Sequence, residues 1–120
     1  MTRRIVLIED DPDIAALVEE MLTEVGHEVE VVSQLTLGGV DPDAQLVITD
    51  LLALRSFDAE TAREWIGRIR AAYPKAAVIV STAHAPAAAV GASAIGADAV
   101  LVKPFDINVF TQTVESLLGA

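Results

Sequence analysis

The chain has 120 residues, of which 52% are hydrophobic, and a formal net charge of −10 from 8 basic and 18 acidic residues. This length predicts a single domain over residues 1–120 with its own buried core. The acidic balance argues against a direct nucleic-acid surface, which needs a basic stripe. The absence of cysteine excludes disulfides and a thiol nucleophile. Neither a secretory signal nor an apolar run long enough to span a bilayer is found, so we expect a soluble cytoplasmic protein with no membrane contact.

Short apolar runs alternate with helical patterns from the start of the chain. The run at residues 4–8 predicts strand one, because short β-rich apolar runs are typical of parallel strands buried on both faces. Asp11 is expected to cap the next helix, and Pro12 to take its first position, where a missing N–H costs nothing. Gly26 is expected to end this helix. Its predicted core row is Ile14, Leu17, Val18, Met21, Leu22 and Val25.

The alternation continues to the end of the chain. The predicted elements are strand two over 28–32, one or two helical turns within 33–40, strand three over 45–49, a helix from Asp58, strand four over 76–80, helix four over 87–95, strand five over 99–102 and helix five after the cap Asp106. Trp65 is interpreted as a core residue of the helix from Asp58, and His27, in a turn, is given no role. Strict strand–helix alternation predicts a parallel sheet with helices on both faces.

Charged residues follow three of these strands directly. Glu9 and Asp10 follow strand one, Asp50 follows strand three, and Lys103 follows strand five. In a parallel sheet, ligands bind in the crevice beyond the carboxyl ends of the strands. Carboxylates gathered there repel one another unless a cation joins them. An acid cluster with one lysine therefore indicates a divalent metal and an anion, most simply Mg²⁺ and a phosphoryl group.

Four motifs in this order resemble a response-regulator receiver domain of two-component signalling, of the chemotaxis-regulator kind. They are Glu9-Asp10-Asp11-Pro12 after strand one, Asp50 after strand three, Ser81-Thr82-Ala83 after strand four and Lys103-Pro104-Phe105 after strand five. The resemblance covers the whole sequence. It implies an α/β, flavodoxin-like, doubly wound fold: a five-stranded parallel sheet of order 2-1-3-4-5 in three α/β/α layers. Strands one and three would then lie side by side and bring the acids together.

The resemblance also implies roles for the acids. Asp50 would be the phosphoacceptor, whose carboxylate attacks the phosphorus of a kinase phosphohistidine and forms an acyl phosphate. Asp10 would bind Mg²⁺ directly, and Glu9 through a water or by shaping the site. Asp50 and the backbone carbonyl of Leu52 would complete the protein ligands of the metal.

Two further groups would act on the phosphoryl oxygens. Lys103 would pair with them as a mobile point charge. Thr82 would supply the switch hydroxyl, although Ser81 remains an alternative because the spacing to Lys103 differs by one residue between them. Beyond its own phosphorylation and dephosphorylation at Asp50, no enzymatic activity is expected.

The implied partners are a sensor histidine kinase or phosphotransfer protein, and an effector or second copy at the face of helix four, strand five and helix five. One departure bears on this face: Val100 stands where the family usually has a large aromatic residue. It mildly favours an alternative, a degenerate receiver that docks partners without phosphorylation. A third hypothesis, a phosphohydrolase with Asp50 as nucleophile, lacks a general acid or base.

Overall fold

The computed structural model describes residues 3–9, 11–32, 43–49, 59–82, 95–102 and 107–118. These residues form β1 (Arg4–Ile8), α1 (Pro12–Glu24), β2 (Glu28–Val32), β3 (Leu46–Thr49), α2 (Ala59–Ala72), β4 (Ala77–Thr82), β5 (Ala99–Val102) and α3 (Ile107–Leu117). The helical turns predicted within 33–40 and most of predicted helix four lie outside the described residues. Within those residues, no helix has the length and apolar character needed to cross a membrane.

The five strands form one parallel sheet of order β2-β1-β3-β4-β5, which confirms the predicted topology. Ile8 of β1 is paired with Thr49 of β3, and Thr49 with Val80 of β4. The strands therefore end close together along one side of the sheet. We call this side the carboxyl edge, and the opposite side, where the strands begin, the amino edge.

Each face of the sheet is covered by a separate apolar layer. Alternate residues of a strand point to opposite faces, so β1 contributes to both layers. On one face, Val6 and Ile8 pack with α2 residues such as Ile66. On the other face, Ile5 and Leu7 pack with residues of α1 and α3. The result is the predicted three-layer α/β/α sandwich.

Helix α1 begins as the sequence predicts. The Asp11 side chain accepts hydrogen bonds from the backbone N–H groups of Asp13 at 2.9 Å and Ile14 at 3.3 Å, and Pro12 is the first helical residue. A cap of this kind stabilises a helix by about 1 kcal/mol. Gly26 follows the helix with a φ of +95°, a conformation that strongly favours glycine. The Asp11 cap and Pro12 therefore fix where α1 begins, shortly after Glu9.

The structure corrects the predicted core row of α1 at two positions. Leu17 is 54% exposed and Val25 is 53% exposed, whereas Val18 and Leu22 are buried. A helix lying on a sheet buries only a stripe of its surface, and the predicted row was wider than this stripe. Leu17 and Val25 are therefore not core residues.

Strand β4 is longer than predicted. It runs to Thr82, two residues beyond the expected end, because it continues to pair with β5 through Ser81 with Leu101 and Thr82 with Val102. Ser81 and Thr82 thus belong to the strand rather than to the loop after it. Strand β3 begins at Leu46, one residue later than predicted.

His27 was given no role in the sequence, but it makes a tertiary contact. It is only 8% exposed, and its Nε2 lies 3.1 Å from Oε1 of Glu115 on α3. The contact joins the turn before β2 to the last helix, across 88 residues of sequence. Local sequence patterns carry no signal for a pair so far apart along the chain.

Candidate functional site at the carboxyl edge

Three polar residues are buried at the carboxyl edge of the sheet. Glu9, the residue directly after β1, is 8% exposed, and its Oε2 atom is shielded from water. Thr49 ends β3 and is fully buried, and Ser81 near the end of β4 is 6% exposed. Burial of a carboxyl group away from water is costly. A buried acid at the edge where parallel sheets bind ligands therefore marks a candidate site.

These three residues line one small cavity. Its volume open to the centre of a water molecule is about 10 Å³, roughly what a single water needs. The remaining lining is apolar: Leu7, Ile8, Ile14, Val18, Ile48 and Phe110. Helices α1 and α3 therefore contribute apolar walls, and the surface of the cavity is almost entirely apolar although Glu9, Thr49 and Ser81 border it. The structure brings Glu9 and Ser81 together, although 72 residues of sequence separate them.

Trp65 is the functional candidate that the sequence analysis missed. It was interpreted as a core residue, but it is only partly buried, and its Nε1–H donates a hydrogen bond to Oγ1 of Thr49 at 3.0 Å. An indole N–H in a buried setting usually finds an acceptor. The need of the indole N–H for an acceptor was the one sequence signal that Trp65 makes a polar contact, but it did not identify Thr49 as the acceptor.

Only some of the predicted site residues lie within the part of the chain that the structure describes. Glu9 lies at the carboxyl edge, and its part in metal binding stays a prediction. Thr82 is the last residue of β4. Asp10, Asp50, Leu52 and Lys103 lie outside the described residues. Their roles therefore stay predictions.

The donors near this edge are of the kind that Mg²⁺ prefers. In the described part of the chain, no group of three or more His, Cys, Asp or Glu side chains could hold a metal ion. However, the buried Glu9 is followed in the sequence by Asp10, and Thr49 is followed by Asp50. Because β1 and β3 are neighbours, these acids follow adjacent strands. Carboxylate oxygens with added waters suit the octahedral site of Mg²⁺.

The family model for the response regulator receiver domain matches residues 5–115. The chain belongs to this family. The resemblance drawn from the strand-end motifs is thereby confirmed, and so is the receiver fold. No curated protein sequence matches the chain significantly.

Solved structures of receiver domains align with almost the whole chain. A response regulator from Thermotoga maritima is 19% identical, with a TM-score of 0.79 and complete coverage of both chains, a likeness that concerns the fold alone. The response regulator protein TrrA of Thermotoga maritima, solved in complex with Mg²⁺–BeF, is 27% identical, with a TM-score of 0.71 and coverage of 96% of this chain and 98% of TrrA.

TrrA has also been solved in complex with the histidine kinase ThkA. That structure is 27% identical to this chain, with a TM-score of 0.70 and coverage of 98% of this chain and 99% of that one. At least one similar receiver thus binds a histidine kinase as a separate protein.

Proposed function

We propose that the chain, as one domain over residues 1–120, accepts a phosphoryl group from a sensor histidine kinase or phosphotransfer protein onto Asp50. Phosphorylation then switches a face that binds a partner. The observation that carries this proposal is the buried Glu9 at the carboxyl edge of a receiver fold. Asp10 follows it directly, and Asp50 follows the neighbouring strand.

Mg²⁺ would be held by the acids that follow β1 and β3. Asp10 and Asp50 would supply direct carboxylate ligands and the backbone carbonyl of Leu52 a third protein oxygen, and Glu9 would act through a water or by shaping the site. When bound, the ion neutralises charge on the acids and on the phosphoryl group. The complex of TrrA with Mg²⁺–BeF supports this cofactor in a related protein.

The transfer itself is a displacement at phosphorus. A carboxylate oxygen of Asp50 attacks, the bond between phosphorus and the histidine nitrogen breaks, and an acyl phosphate forms. The Lys103 ammonium offsets the negative charge of the phosphoryl oxygens. A hydroxyl from Thr82, or from Ser81 as the alternative, donates a hydrogen bond to them. Ser81 lines the same cavity as Glu9 and stays an alternative to Thr82.

The output is a shift between two conformations that a partner distinguishes. The proposed partner face comprises predicted helix four, β5 and α3, with an effector or a second copy as its occupant. Ala99, Val100 and Leu101 of β5 are each partly buried. Transfer from a kinase is supported by the TrrA–ThkA complex. The proposed setting is the cytoplasm, with neither nucleic acid nor membrane as a direct ligand.

The test is incubation of the whole chain with Mg²⁺ and acetyl phosphate, followed by intact-mass measurement. We expect a lasting mass increase of one phosphoryl group in the wild type. Asp50→Asn should show none, because an amide cannot act as the nucleophile. Asp43→Asn is the matched control, since Asp43 is exposed and paired with Lys75 at the amino edge, and it should be phosphorylated normally.

Each other outcome contradicts a named part of the proposal. Full phosphorylation of Asp50→Asn would show that another residue is the acceptor. An unmodified wild type would indicate the docking module that binds partners without phosphorylation. Repeated turnover of the donor would indicate a phosphohydrolase.

A further inference from the structure

Trp65 is the single tryptophan of the chain, and it reaches from α2 to the end of β3. Its Nε1–H donates to Oγ1 of Thr49 at 3.0 Å. Thr49 is fully buried and is the last residue of β3. The hydrogen bond therefore joins a helix to the strand residue that directly precedes Asp50.

The hydrogen bond lies within an otherwise apolar layer. Val47, two residues before Thr49 on the same face of β3, is packed among hydrophobic residues, including Ile66 of α2. An apolar side chain at position 49 would also fill this layer. The threonine hydroxyl instead provides the acceptor that the indole N–H needs.

The contact restrains both of its partners. Threonine is branched at Cβ, so its χ1 angle has few allowed values, and a hydrogen bond selects among them. The indole ring lies under the guanidinium of Arg68, whose Cζ is 5.4 Å from the ring centroid. This cation–π contact restricts the orientation of the ring. Helix α2 thus fixes the end of β3 more firmly than apolar packing alone would.

We propose that Trp65 is a positioning residue for the reaction at Asp50. It acts through Thr49, by fixing the strand end from which the acceptor carboxylate extends. This inference rests on the proposed function and adds a residue outside the predicted acid and lysine set. The attack on phosphorus requires an aligned carboxylate, and small displacements of a reacting group slow such steps.

The experiment compares phosphorylation rates with acetyl phosphate at saturating Mg²⁺ for Trp65→Phe, Thr49→Val and the double variant. Phenylalanine keeps an aromatic ring without the N–H, and valine keeps the shape of threonine without the hydroxyl. Each single variant should lower the rate about threefold to tenfold, the range that one net hydrogen bond supplies. The double variant should be no slower than the slower single variant, because both remove the same bond.

Two controls separate positioning from general stability. Ile66→Val shortens a buried neighbour on α2, so it should lower the melting temperature and keep the wild-type rate. Thr49→Ser, which retains a hydroxyl, should recover most of the rate lost in Thr49→Val.

Three results would overturn the inference: single variants that react at the wild-type rate, rate losses that add in the double variant, or an equal loss in Ile66→Val. Each of these outcomes leaves the proposed function intact if the wild type is phosphorylated. An unphosphorylated wild type would instead refute the proposed function and this inference together.

Discussion

The two edges of the sheet differ in how far their acidic and basic side chains are exposed to water. At the amino edge, three ion pairs between Arg or Lys and Asp or Glu lie exposed or half-exposed: Arg4 with Glu28 at 3.6 Å, Lys75 with Asp43 at 3.0 Å and Arg70 with Asp98 at 3.2 Å. At the carboxyl edge, Glu9 and Ser81 are both buried and line the same cavity. The first arrangement costs little free energy, whereas burying a carboxyl group costs more. This difference indicates that the carboxyl edge serves a function and that the amino edge stabilises the fold.

Asp98 shows how the amino edge stabilises the fold. Its Oδ2 atom accepts a hydrogen bond from the backbone N–H of Val78 at 2.8 Å and another from Arg70 at 3.2 Å. Arg70 also donates to the carbonyl of Gly96 through Nε and Nη2, at 3.0 and 2.7 Å. One carboxylate and one guanidinium therefore tie α2, β4 and the turn before β5 together.

The largest effect is expected at the carboxyl edge, from Asp10→Asn. If Asp10 is a direct ligand, as proposed, its replacement should weaken Mg²⁺ binding at least tenfold. Without metal, the same change should raise the melting temperature, because it relieves repulsion among like charges. Relief of about 1 kcal/mol corresponds to roughly 4 °C for a domain of this size. Calorimetric Mg²⁺ titration and thermal unfolding measure the two effects.

The matched variant for this test is Asp43→Asn at the amino edge, which should change neither Mg²⁺ affinity nor the metal-free melting temperature appreciably. A melting temperature unchanged or lowered in Asp10→Asn would contradict a crowded acid site and remove the contrast between the edges.

A smaller effect, on stability alone, is expected from Asp98→Ala. The backbone N–H of Val78 would lose its acceptor, and an unsatisfied, partly buried donor costs about 1–3 kcal/mol of unfolding free energy. Denaturant unfolding should show this loss, while phosphorylation by acetyl phosphate continues at the wild-type level. Asp98→Asn keeps an oxygen acceptor and should lose less. A phosphorylation defect in a folded Asp98→Ala protein would show that the two edges are not functionally separate.

The smallest effect is expected from Lys75→Ala. Its ion pair with Asp43 joins two largely exposed side chains, and such pairs contribute at most about 0.5 to 1 kcal/mol. Denaturant unfolding at low and high salt should give nearly equal stabilities for this variant and the wild type. A loss of several kcal/mol would mean that the amino edge contains a network stronger than its exposed pairs indicate.

Local patterns predicted much of the fold because they report local physics. Strands β1 and β2 have the predicted bounds, and Asp11, Pro12 and Gly26 delimit α1 as expected. Strand β4 was predicted too short, because Ser81 and Thr82 are residue types common in loops. In the structure they pair with Leu101 and Val102 of β5, so the strand continues through them. Leu17 was assigned to the core because its spacing fits a helical stripe, but only packing determines the width of that stripe.

The sequence by itself determined the alternation of strands and helices, the acids and lysine placed after particular strands, and membership of the receiver family. These features depend on composition, spacing and capping, each of which acts over a few residues. Only the tertiary structure decided which distant residues come together: Glu9 and Ser81 line one cavity, His27 contacts Glu115, and Trp65 contacts Thr49. Such contacts depend on sheet register and helix packing. Spacing along the chain specifies neither the sheet register nor the helix packing. It therefore could not reveal that Trp65 donates a hydrogen bond to Thr49, the residue before Asp50.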